Sequence, residues 1–501
     1  MSEVVDILIL TADAGSDVEG VVHTRTQHSE LGMRTHGAHK AAWAARQHGY
    51  TVQVVSKIHM APVEDIIAAC KRYVGPSTLL AVGTTLIAPP SFMTSFDKEE
   101  GAYRLGHTTG KIHRILEGLK NLYNNKILIG GSQANSFKTI FRADYVIQGE
   151  AENEFPKLLD QIFRFGIQRK KYDWDIKDCQ FRWHDTDFIQ PNEPLPLEAS
   201  RGCIFKCKFC AFQNLGKRPG TFERSIQNMK EELEYNYERW GSTCYWLTDD
   251  TINDDNDRMN DFCDMLESLN FKIRFSGFFR MDLFHRFQKT TRRLYENGMT
   301  GVQIGVETFH PEAAKTIGKA FNGKHGKEFL LHLYYDICKE DIALGTCNII
   351  GLPYERFEFT RQTVDWYNEV GVIQPSYSPL FVRDPERPDP NLAMVSEFSS
   401  KAKKYGYRFP KKEQPTYWIN DLCRMDSDFV QSRFWSLRGK LQPTLEKTMD
   451  PWMALHYLNI MKISPKEAMA IGWQKIRETV DPRVVPQGYF KQLGVDVSFE
   501  K

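Results

Sequence analysis

Three cysteines within eight positions constrain this chain more than any other feature of its sequence. In the segment EASRGCIFKCKFCAF, Cys203, Cys207 and Cys210 have the spacing C-x3-C-x2-C, with lysines between them. Because lysine is rarely buried, we expect an exposed loop, and three core cysteines brought together by chance are a poor explanation. The other seven cysteines are scattered singly, which predicts small buried residues and argues against a disulfide framework.

The chemistry of this loop follows from the number of thiolates. Three thiolates on one tight loop can bind three corners of a [4Fe–4S] cluster and leave the fourth iron open to another ligand. A structural zinc site is the alternative, but it normally needs a fourth cysteine or histidine close by. The nearest histidine is His184. The sequence therefore favours the cluster over zinc.

The N-terminal third of the chain predicts an α/β domain. A chain of 501 residues is too long for one ordinary core, so two or three domains are expected. Residues 1–165 alternate short aliphatic runs with helical patterns, which predicts a Rossmann-like, doubly wound parallel sheet. Such sheets bind ligands beyond the carboxyl ends of their strands. The residues at those ends are mostly small or polar: Thr11, Ala12, Thr84, Thr85, Gly130, Gly131, Gly149 and Glu150.

The rest of the chain predicts a linker and two further domains. Residues 166–195 are polar, aromatic and Pro-rich at their end, which is typical of a linker over the surface or between domains. Residues 196–390 resume the strand–helix alternation, and about six βα units predict a full or three-quarter β/α (TIM-type) barrel. Residues 391–501 lose the strand signal, so we expect a mainly helical C-terminal domain.

Composition excludes several classes of partner. Lys and Arg number 65 against 64 Asp and Glu, so a net charge of +1 gives no uniform field that would attract nucleic acid or anionic lipid. No apolar run has the roughly 18 residues that a membrane span needs. The first residues, MSEVVDILIL, lack the basic start of a secretory signal. These features predict a cytoplasmic protein without a membrane or nucleic-acid partner.

The cysteine loop resembles the signature of the radical S-adenosylmethionine (SAM) superfamily. The spacing and the aromatic Phe209 just before the last cysteine carry this resemblance. It implies that Cys203, Cys207 and Cys210 hold a [4Fe–4S] cluster whose open iron chelates SAM. It also implies that an electron from the cluster cleaves SAM to a 5′-deoxyadenosyl radical.

Two later segments resemble SAM-binding elements of the same family. Asp249 and Asp250 follow the second barrel strand, where the family often holds the amino group of SAM, although TDDTIND could equally cap a helix. Arg280, in FSGFFRMD, stands where the family commonly places a polar residue near SAM. A surface salt bridge is the alternative for Arg280.

The last two barrel strands extend the resemblance. In GVQIGVETFHPEAAKTIGK, the family pattern implies that Glu307 contacts the ribose of SAM and that Lys319 lies near its carboxylate. NIIGLPYE resembles the turn whose backbone packs on the adenine, with Gly351 at its start. Tyr354 replaces the glycine usual in that turn, which puts its geometry in question.

The N-terminal domain resembles the cobalamin-binding domain of one branch of the superfamily. GGSQANSFKTIFRADYVIQGEAENEFPKLL carries this resemblance, which assigns Thr84, Thr85, Gly130, Gly131, Gly149 and Glu150 to a cobalamin site. The older signature Asp-x-His-x-x-Gly is missing, since TADAGSDVEG has no histidine. The domain could therefore have kept the fold and lost the cofactor. Solvated or capping roles, rather than metal binding, are expected for four nearby histidines: His23, His28, His36 and His39.

The resemblance leaves three functions open. The first is a cobalamin-dependent methyltransferase that acts on an unknown small molecule and receives electrons from a donor such as flavodoxin or ferredoxin. The second is a radical cyclase, rearrangement or oxidative enzyme that does not use cobalamin for methyl transfer. The third is a non-catalytic iron–sulfur or cobalamin sensor. The sequence identifies no catalytic residue; Cys347 and Cys423 could donate hydrogen atoms, but buried structural roles are the safer expectation.

Overall fold

The computed structural model describes most of the chain. The described residues are 3–12, 33–85, 87, 96–97, 102–103, 107–131, 134–147, 149–163, 175–212, 216–387 and 395–497. They form two compact units, one from Met1–Pro196, Glu231–Ser242 and Pro482–Lys501, the other from Leu197–Lys230 and Thr243–Asp481. The predicted tail 391–501 is thus shared between both units. His23, His28 and the segment 166–174 of the predicted linker lie outside the described residues.

A five-stranded sheet forms the centre of the first unit. Its strands follow the order β2-β1-β3-β6-β7, and each pair of neighbours is parallel. The strands are β1 (Ile7–Thr11), β2 (Val52–Val55), β3 (Leu79–Gly83), β6 (Ile127–Gly130) and β7 (Tyr145–Ile147). A separate two-stranded pair consists of β4 (Phe96–Asp97) and β5 (Ala102–Tyr103).

Helices cover both faces of this sheet, as the aliphatic alternation predicts. Ala42 and Phe155 belong to the core on one face, and Ile66 and Ile115 to the core on the other. The second core also contains Tyr489, Phe490 and Leu493 from the end of the chain. The helices are His36–Gln47, Val63–Cys70, His107–Tyr123, Ala134–Phe137, Ala151–Phe163 and Val484–Gln492.

The described part of the predicted linker, residues 175–195, is packed into this unit. Phe181 and Trp183 are buried, and both rings contact His36. Glu193 is buried against Arg34. His36 and His39 are buried too, so the expectation that these two histidines are solvated is wrong. Aromatic side chains in a segment without periodicity still need a core to cover them, which explains why this stretch is not an exposed linker.

A six-stranded sheet in sequential order forms the second unit. The order is β8-β9-β10-β11-β12-β13, and the pairs from β9 to β13 are parallel. The strands are β8 (Leu195–Leu197), β9 (Cys244–Leu247), β10 (Arg274–Phe279), β11 (Met299–Glu307), β12 (Ala343–Ile350) and β13 (Ile373–Pro379). Helices connect successive strands, as in a three-quarter β/α barrel. They are Ile226–Trp240, Asn256–Glu267, Met281–Arg286, Gln288–Glu296, Pro311–Ile317, Ala320–His332 and Phe357–Val370, and residues 231–240 of the first of these helices belong to the first unit.

Helical residues follow the barrel strands, with one small sheet among them. The helices are Glu397–Ser400, Ser427–Lys447, Pro451–Met461, Pro465–Ile471 and Trp473–Thr479. The antiparallel sheet comprises β14 (Tyr407–Arg408), β15 (Ile419–Asn420) and β16 (Met425–Asp426). Among the described residues, no helix is both long enough and apolar enough to cross a membrane.

Candidate active site

The cysteine loop lies where β8, β9 and β10 end. Cys203 Sγ is 3.4 Å from the hydroxyl of Thr251, which follows β9. Cys207 Sγ is 3.5 Å from Nη1 of Arg280, the residue directly after β10. The backbone N–H of Cys210 donates to the carbonyl of Cys207 (3.0 Å), which closes a tight turn between them. The loop therefore sits at the carboxyl edge of the sheet, where β/α barrels carry their chemistry.

The three thiols are neighbours in a mostly buried setting. Burial raises the pKa of the Cys203 thiol, and it raises the pKa of Cys210 to about 11, with the other thiols adding to the effect. Without a metal, these two thiols are therefore protonated near neutral pH. Metal binding has to displace their protons, so loading of this site will depend on pH.

The donor set suits a cluster better than a zinc ion. A structural zinc ion takes four protein ligands, whereas this loop offers three thiols. A [4Fe–4S] cluster makes no such demand, because its cysteines bind different iron atoms. His184, the fourth zinc ligand that the sequence suggests, belongs to the first unit and caps a short turn through its Nδ1.

Asp249 and Asp250 face the start of the cysteine loop. Oδ2 of Asp249 accepts from the backbone N–H of Ala199 at 3.0 Å, while its buried Oδ1 has no hydrogen-bond partner among the described residues. Burial raises the pKa of both carboxyl groups, that of Asp250 to about 6. The helix-cap alternative is wrong for this pair, because the helix begins at Asn256 and its cap is Asp255. A buried acceptor without a partner is what an ammonium group of a ligand would require.

Arg280 is buried beside a predicted cluster ligand. Its guanidinium lies 3.8 Å from the ring centroid of Phe205, and Nε and Nη2 donate to the two carboxylate oxygens of Asp282 at 3.0 Å each. With Nη1 directed at Cys207, three groups fix its position. Only 7% of Arg280 is exposed, so the surface salt bridge weighed as the alternative is wrong.

The structure brings Phe209, Glu307 and Lys319 together. Lys319 Nζ lies 2.9 Å from Oε1 of Glu307 and donates to the carbonyl of Gly305 at 2.6 Å. The same ammonium lies 5.9 Å from the ring centroid of Phe209. A Cβ on Gly305 would lie 2.6 Å from the Glu307 carboxylate and 2.8 Å from Lys319 Nζ, so only glycine fits there. This buried pair ties the cysteine loop to the end of β11.

The turn after β12 keeps a left-handed backbone despite its tyrosine. Gly351 has φ +101°, and its carbonyl accepts from the hydroxyl of Tyr407 at 3.0 Å. Tyr354 has φ +71°, a conformation that favours glycine, and 43% of the residue is exposed. The substitution that put this turn in question has therefore left the glycine-type conformation in place.

The other predicted site lies in the first unit. The strand order 2-1-3 places the topological switch point between β1 and β3, where open α/β sheets bind ligands. Thr84 follows β3 and donates from both its N–H and its hydroxyl to the carbonyl of Gly130. Gly131 has φ +121°, and a Cβ there would lie 2.9 Å and 2.8 Å from the hydroxyls of Thr84 and Thr85. These residues form a shallow cradle that larger side chains would fill.

Gly149 and Glu150 lie after β7, the strand next to β6. Gly149 has φ +96°, and the carbonyl of Glu150 accepts from the N–H of Asn153 and Glu154, which starts the next helix. A helix start with a left-handed glycine before it suits close approach of a large ligand. The residues present therefore fit a corrinoid.

Sequence reasoning missed several residues of the cysteine site. Phe205 stacks on Arg280, Asp282 orients it, and Thr251 contacts Cys203. Their positions in the sequence offered a signal, because Phe205 lies inside the motif and Asp282 stands two residues after Arg280. Cys347, which accepts from Nε2 of Gln303 at 3.1 Å, is half-buried, while Cys423 is buried as expected.

Comparison with protein families identifies the central region. Residues 197–367 match the model of the radical SAM superfamily. The chain carries a radical SAM domain. The predicted radical SAM domain is thereby confirmed, and a [4Fe–4S] cluster and SAM are the cofactors of such a domain.

Curated relatives of this chain include proteins named as methyltransferases. An uncharacterized methyltransferase of Pyrococcus horikoshii is 27% identical over 270 residues, which are 52% of this chain and 54% of that protein. The bacteriochlorophyllide d C-8(2)-methyltransferase of Chlorobaculum tepidum is 22% identical over 214 residues, 38% of this chain and 46% of that protein. The chain thus spans about half the length of the curated relatives it matches.

Solved structures share the fold over nearly the whole chain. TsrM of Kitasatospora setae, a radical SAM methyltransferase with tryptophan substrate and a SAM analogue bound, aligns with a TM-score of 0.60 and 13% identity over 94% of this chain and 98% of its own. OxsB, a cobalamin-dependent SAM radical enzyme, aligns with a TM-score of 0.51 and 11% identity over 98% and 75%. At these identities the likeness shows the fold, and it confirms the predicted fold class.

Proposed function

We propose that this radical SAM enzyme is a cobalamin-dependent methyltransferase that acts on a small molecule. One observation carries the proposal: a single chain combines the three-cysteine loop at the end of a six-stranded sheet with a glycine cradle at the ends of β3 and β6 in a second sheet, beside its switch point. TsrM and OxsB share this fold, and relatives are named as methyltransferases. The bound cluster would supply an electron to SAM, and cobalamin would carry the methyl group.

In this proposal, the residues of the second unit hold and orient SAM. Asp249 and Asp250 accept from its ammonium group, and Lys319 neutralises its carboxylate. Glu307 accepts from a ribose hydroxyl, Phe209 packs beside the cofactor, and the turn at Gly351 packs on the adenine. Arg280 fixes the loop through Cys207. In the first unit, Thr84, Thr85, Gly130, Gly131, Gly149 and Glu150 line the cobalamin site.

The side chains on the inner face of the barrel support the proposal that the reacting part of the substrate is small and uncharged. Trp246 and Phe278 contact the ring of Trp452 at centroid distances of 6.0 and 5.2 Å. Gln303 and Cys347 continue the same face of neighbouring strands. None of these five side chains carries a charge, whereas the charged residues proposed for SAM follow the strand ends. An apolar wall with few polar groups is typical of small-molecule sites.

The test begins with anaerobic purification and reconstitution with iron, sulfide and hydroxocobalamin. Cluster spectra, retained corrinoid, 5′-deoxyadenosine and S-adenosylhomocysteine are then measured with SAM and a reductant. We expect Cys207→Ala to lose the cluster and both products, whereas Cys263→Ala, which changes a buried cysteine in helix Asn256–Glu267, keeps them.

The two SAM products separate the competing functions. Retained corrinoid and S-adenosylhomocysteine support methyl transfer. Deoxyadenosine without corrinoid or S-adenosylhomocysteine would favour a radical cyclase, rearrangement or oxidative enzyme instead. A stable cluster that never turns over SAM would overturn the enzymatic proposal in favour of a sensor.

A further inference from the structure

Several lysines lie beside the cysteine loop, at Lys208. The loop is tied to a later segment, because the N–H of Phe398 donates to the carbonyl of Lys208 at 2.9 Å. Lys208 Nζ also donates to Oε2 of Glu397 at 2.7 Å. This double contact brings lysines of both segments to one surface, the lysine patch: Lys208, Lys401, Lys403 and Lys404.

The patch carries an excess of positive charge that reaches solvent. The side chains of Lys401, Lys403 and Lys404 are 60%, 86% and 62% exposed. Among the described residues, these four lysines pair with two carboxylates: Glu397, which Lys208, Lys401 and Lys404 share, and Glu386, which lies 3.3 Å from Lys403. Since the chain as a whole has a net charge of only +1, any electrostatic attraction of a partner has to come from such a local excess.

An exposed aromatic ring lies next to the same loop. Phe212 is 44% exposed, and its backbone N–H donates to Cys210 Sγ at 3.4 Å. Phe212 thus combines a contact to a predicted cluster ligand with a ring open to solvent. Interfaces between proteins commonly combine exposed aromatic side chains with a charged rim.

We propose that the lysine patch is the docking surface for an acidic electron-carrier protein. The inference rests on the proposed function, because it requires the cluster held by Cys203, Cys207 and Cys210. Lys206 and Lys208 stand beside cluster ligands in the sequence, so a protein bound there brings its redox centre near the iron atoms. One electron passes, the donor is oxidised by one electron and the cluster is reduced by one. No bond is made or broken.

Position on the cluster loop favours a redox protein over other acidic partners. A nucleic acid or an anionic surface would gain from the same lysines, but its binding would have no reason to centre on cluster ligands. Complementary charge chiefly accelerates association, and the acceleration falls as salt is added. The surface therefore predicts fast, salt-sensitive electron delivery by a negatively charged donor.

The test measures reduction of the cluster in the reconstituted full chain. Reduced flavodoxin is the protein probe, and the radical cation of methyl viologen is the small-molecule probe. Bleaching of the cluster is followed by stopped flow at low and at high salt. The patch variant carries Lys401→Glu, Lys403→Glu and Lys404→Glu. The matched control carries the same charge change at exposed lysines of the second unit: Lys272→Glu, Lys289→Glu and Lys440→Glu.

We expect the patch variant to slow reduction by flavodoxin at least about 10-fold at low salt and to lose most of its salt dependence. Reduction by the methyl viologen radical cation should not slow, because the cluster itself is untouched and the added carboxylates attract a cation. Equal rates in the patch variant and wild type, or equal slowing in the control, would overturn the proposal. So would a patch variant that loses binding of an RNA oligonucleotide while flavodoxin still reduces it normally.

Failure of the proposed function and failure of the docking proposal give different results in this experiment. If the wild-type chain forms no cluster, neither flavodoxin nor methyl viologen produces bleaching, and the docking proposal fails with the function on which it rests. If methyl viologen reduces the cluster and flavodoxin reduces all variants at one rate, only the docking proposal fails.

Discussion

Nη1 of Arg280 lies 3.5 Å from Sγ of Cys207. Asp282 binds the remaining edge of the guanidinium, and Phe205 covers its face. Because arginine stays protonated in proteins, this arrangement fixes a positive charge and a hydrogen-bond donor beside a predicted cluster ligand. Arg280 is therefore a positioning residue for the cysteine loop.

Replacing Arg280 should change the cluster's reduction potential. Hydrogen bonds to the sulfurs and nearby charge set this potential, and a cation favours the reduced state. We expect Arg280→Gln to lower the midpoint potential by on the order of 60 mV, a tenfold change for a one-electron couple. A redox titration followed by electron paramagnetic resonance measures it. Arg286→Gln, at an exposed arginine nearby, should leave the midpoint unchanged; equal midpoints in all three proteins would contradict the assignment.

The buried pair Lys319–Glu307 predicts an asymmetric mutational response. Both side chains are 8% exposed, so Lys319→Met leaves a buried carboxylate without its cation. We expect a loss of about 3–5 kcal/mol in the free energy of unfolding. Urea unfolding should show that Lys319→Met with Glu307→Gln is more stable than Lys319→Met alone. If the double variant is no more stable, the two residues are not energetically coupled.

The same pair offers a direct test of SAM binding. Glu307→Gln keeps the shape of the side chain but removes the charge proposed to accept from the ribose. We expect equilibrium dialysis of the reconstituted protein to give at least a tenfold higher Kd for SAM, about 1.4 kcal/mol. Glu312→Gln, at an exposed glutamate in the following helix, is the control. An unchanged Kd for Glu307→Gln would contradict the ribose contact.

Tyr354 predicts a substitution that stabilises the protein. A left-handed φ of +71° costs a residue with a Cβ roughly 1–2 kcal/mol, and glycine avoids that cost at a smaller entropic one. We expect Tyr354→Gly to raise the free energy of unfolding by about 0.5–1 kcal/mol. Thermal melting measures it. Tyr335→Gly, at an exposed helical tyrosine, should instead destabilise; a drop for Tyr354→Gly would mean that its ring makes a needed contact.

Much of the SAM site could be predicted because parallel strands end at one edge of a sheet. Arg280 directly follows β10 and Glu307 ends the neighbouring strand β11, so both residues lie at the same edge of the sheet. The cysteine motif predicted the loop, and the alternation of aliphatic runs with helical patterns predicted both sheets. Local patterns suffice to predict a site where residues at the ends of successive strands in the sequence also lie at one edge of the folded sheet.

Contacts between distant segments were not accessible in this way. Lys208 pairs with Glu397, and Arg34 pairs with Glu193. The two partners of each pair are far apart in the sequence, and no local pattern indicates that they meet. The segment 175–195 lacks periodicity, so its burial depends on a core that forms elsewhere. Ion pairs of this kind are decided by tertiary packing and not by propensity.

Glu193 pairs with two positively charged side chains in the core of the first unit. Its Oε1 lies 2.8 Å from Arg34 Nε and 3.0 Å from Lys57 Nζ, and the Arg34 guanidinium stands 5.0 Å from the ring centroid of Tyr489. Burial alone would raise the pKa of Glu193, but the two cations outweigh it and lower the pKa to about 2. The folded state therefore binds this proton less readily than the unfolded chain.

This pKa predicts the acid stability of the first unit. A carboxyl with a lowered folded pKa stabilises the fold fully above its unfolded pKa of about 4.5, and the contribution, on the order of 3 kcal/mol, is lost as the pH falls towards 2. We expect urea midpoints of the wild type to fall between pH 5 and pH 3. Glu193→Gln should be destabilised at pH 7 and vary less over that range, since it has no carboxyl to protonate. Glu238→Gln, at an exposed position of the same unit, should follow the wild type; parallel pH profiles for Glu193→Gln and wild type would show that this cluster does not control acid stability.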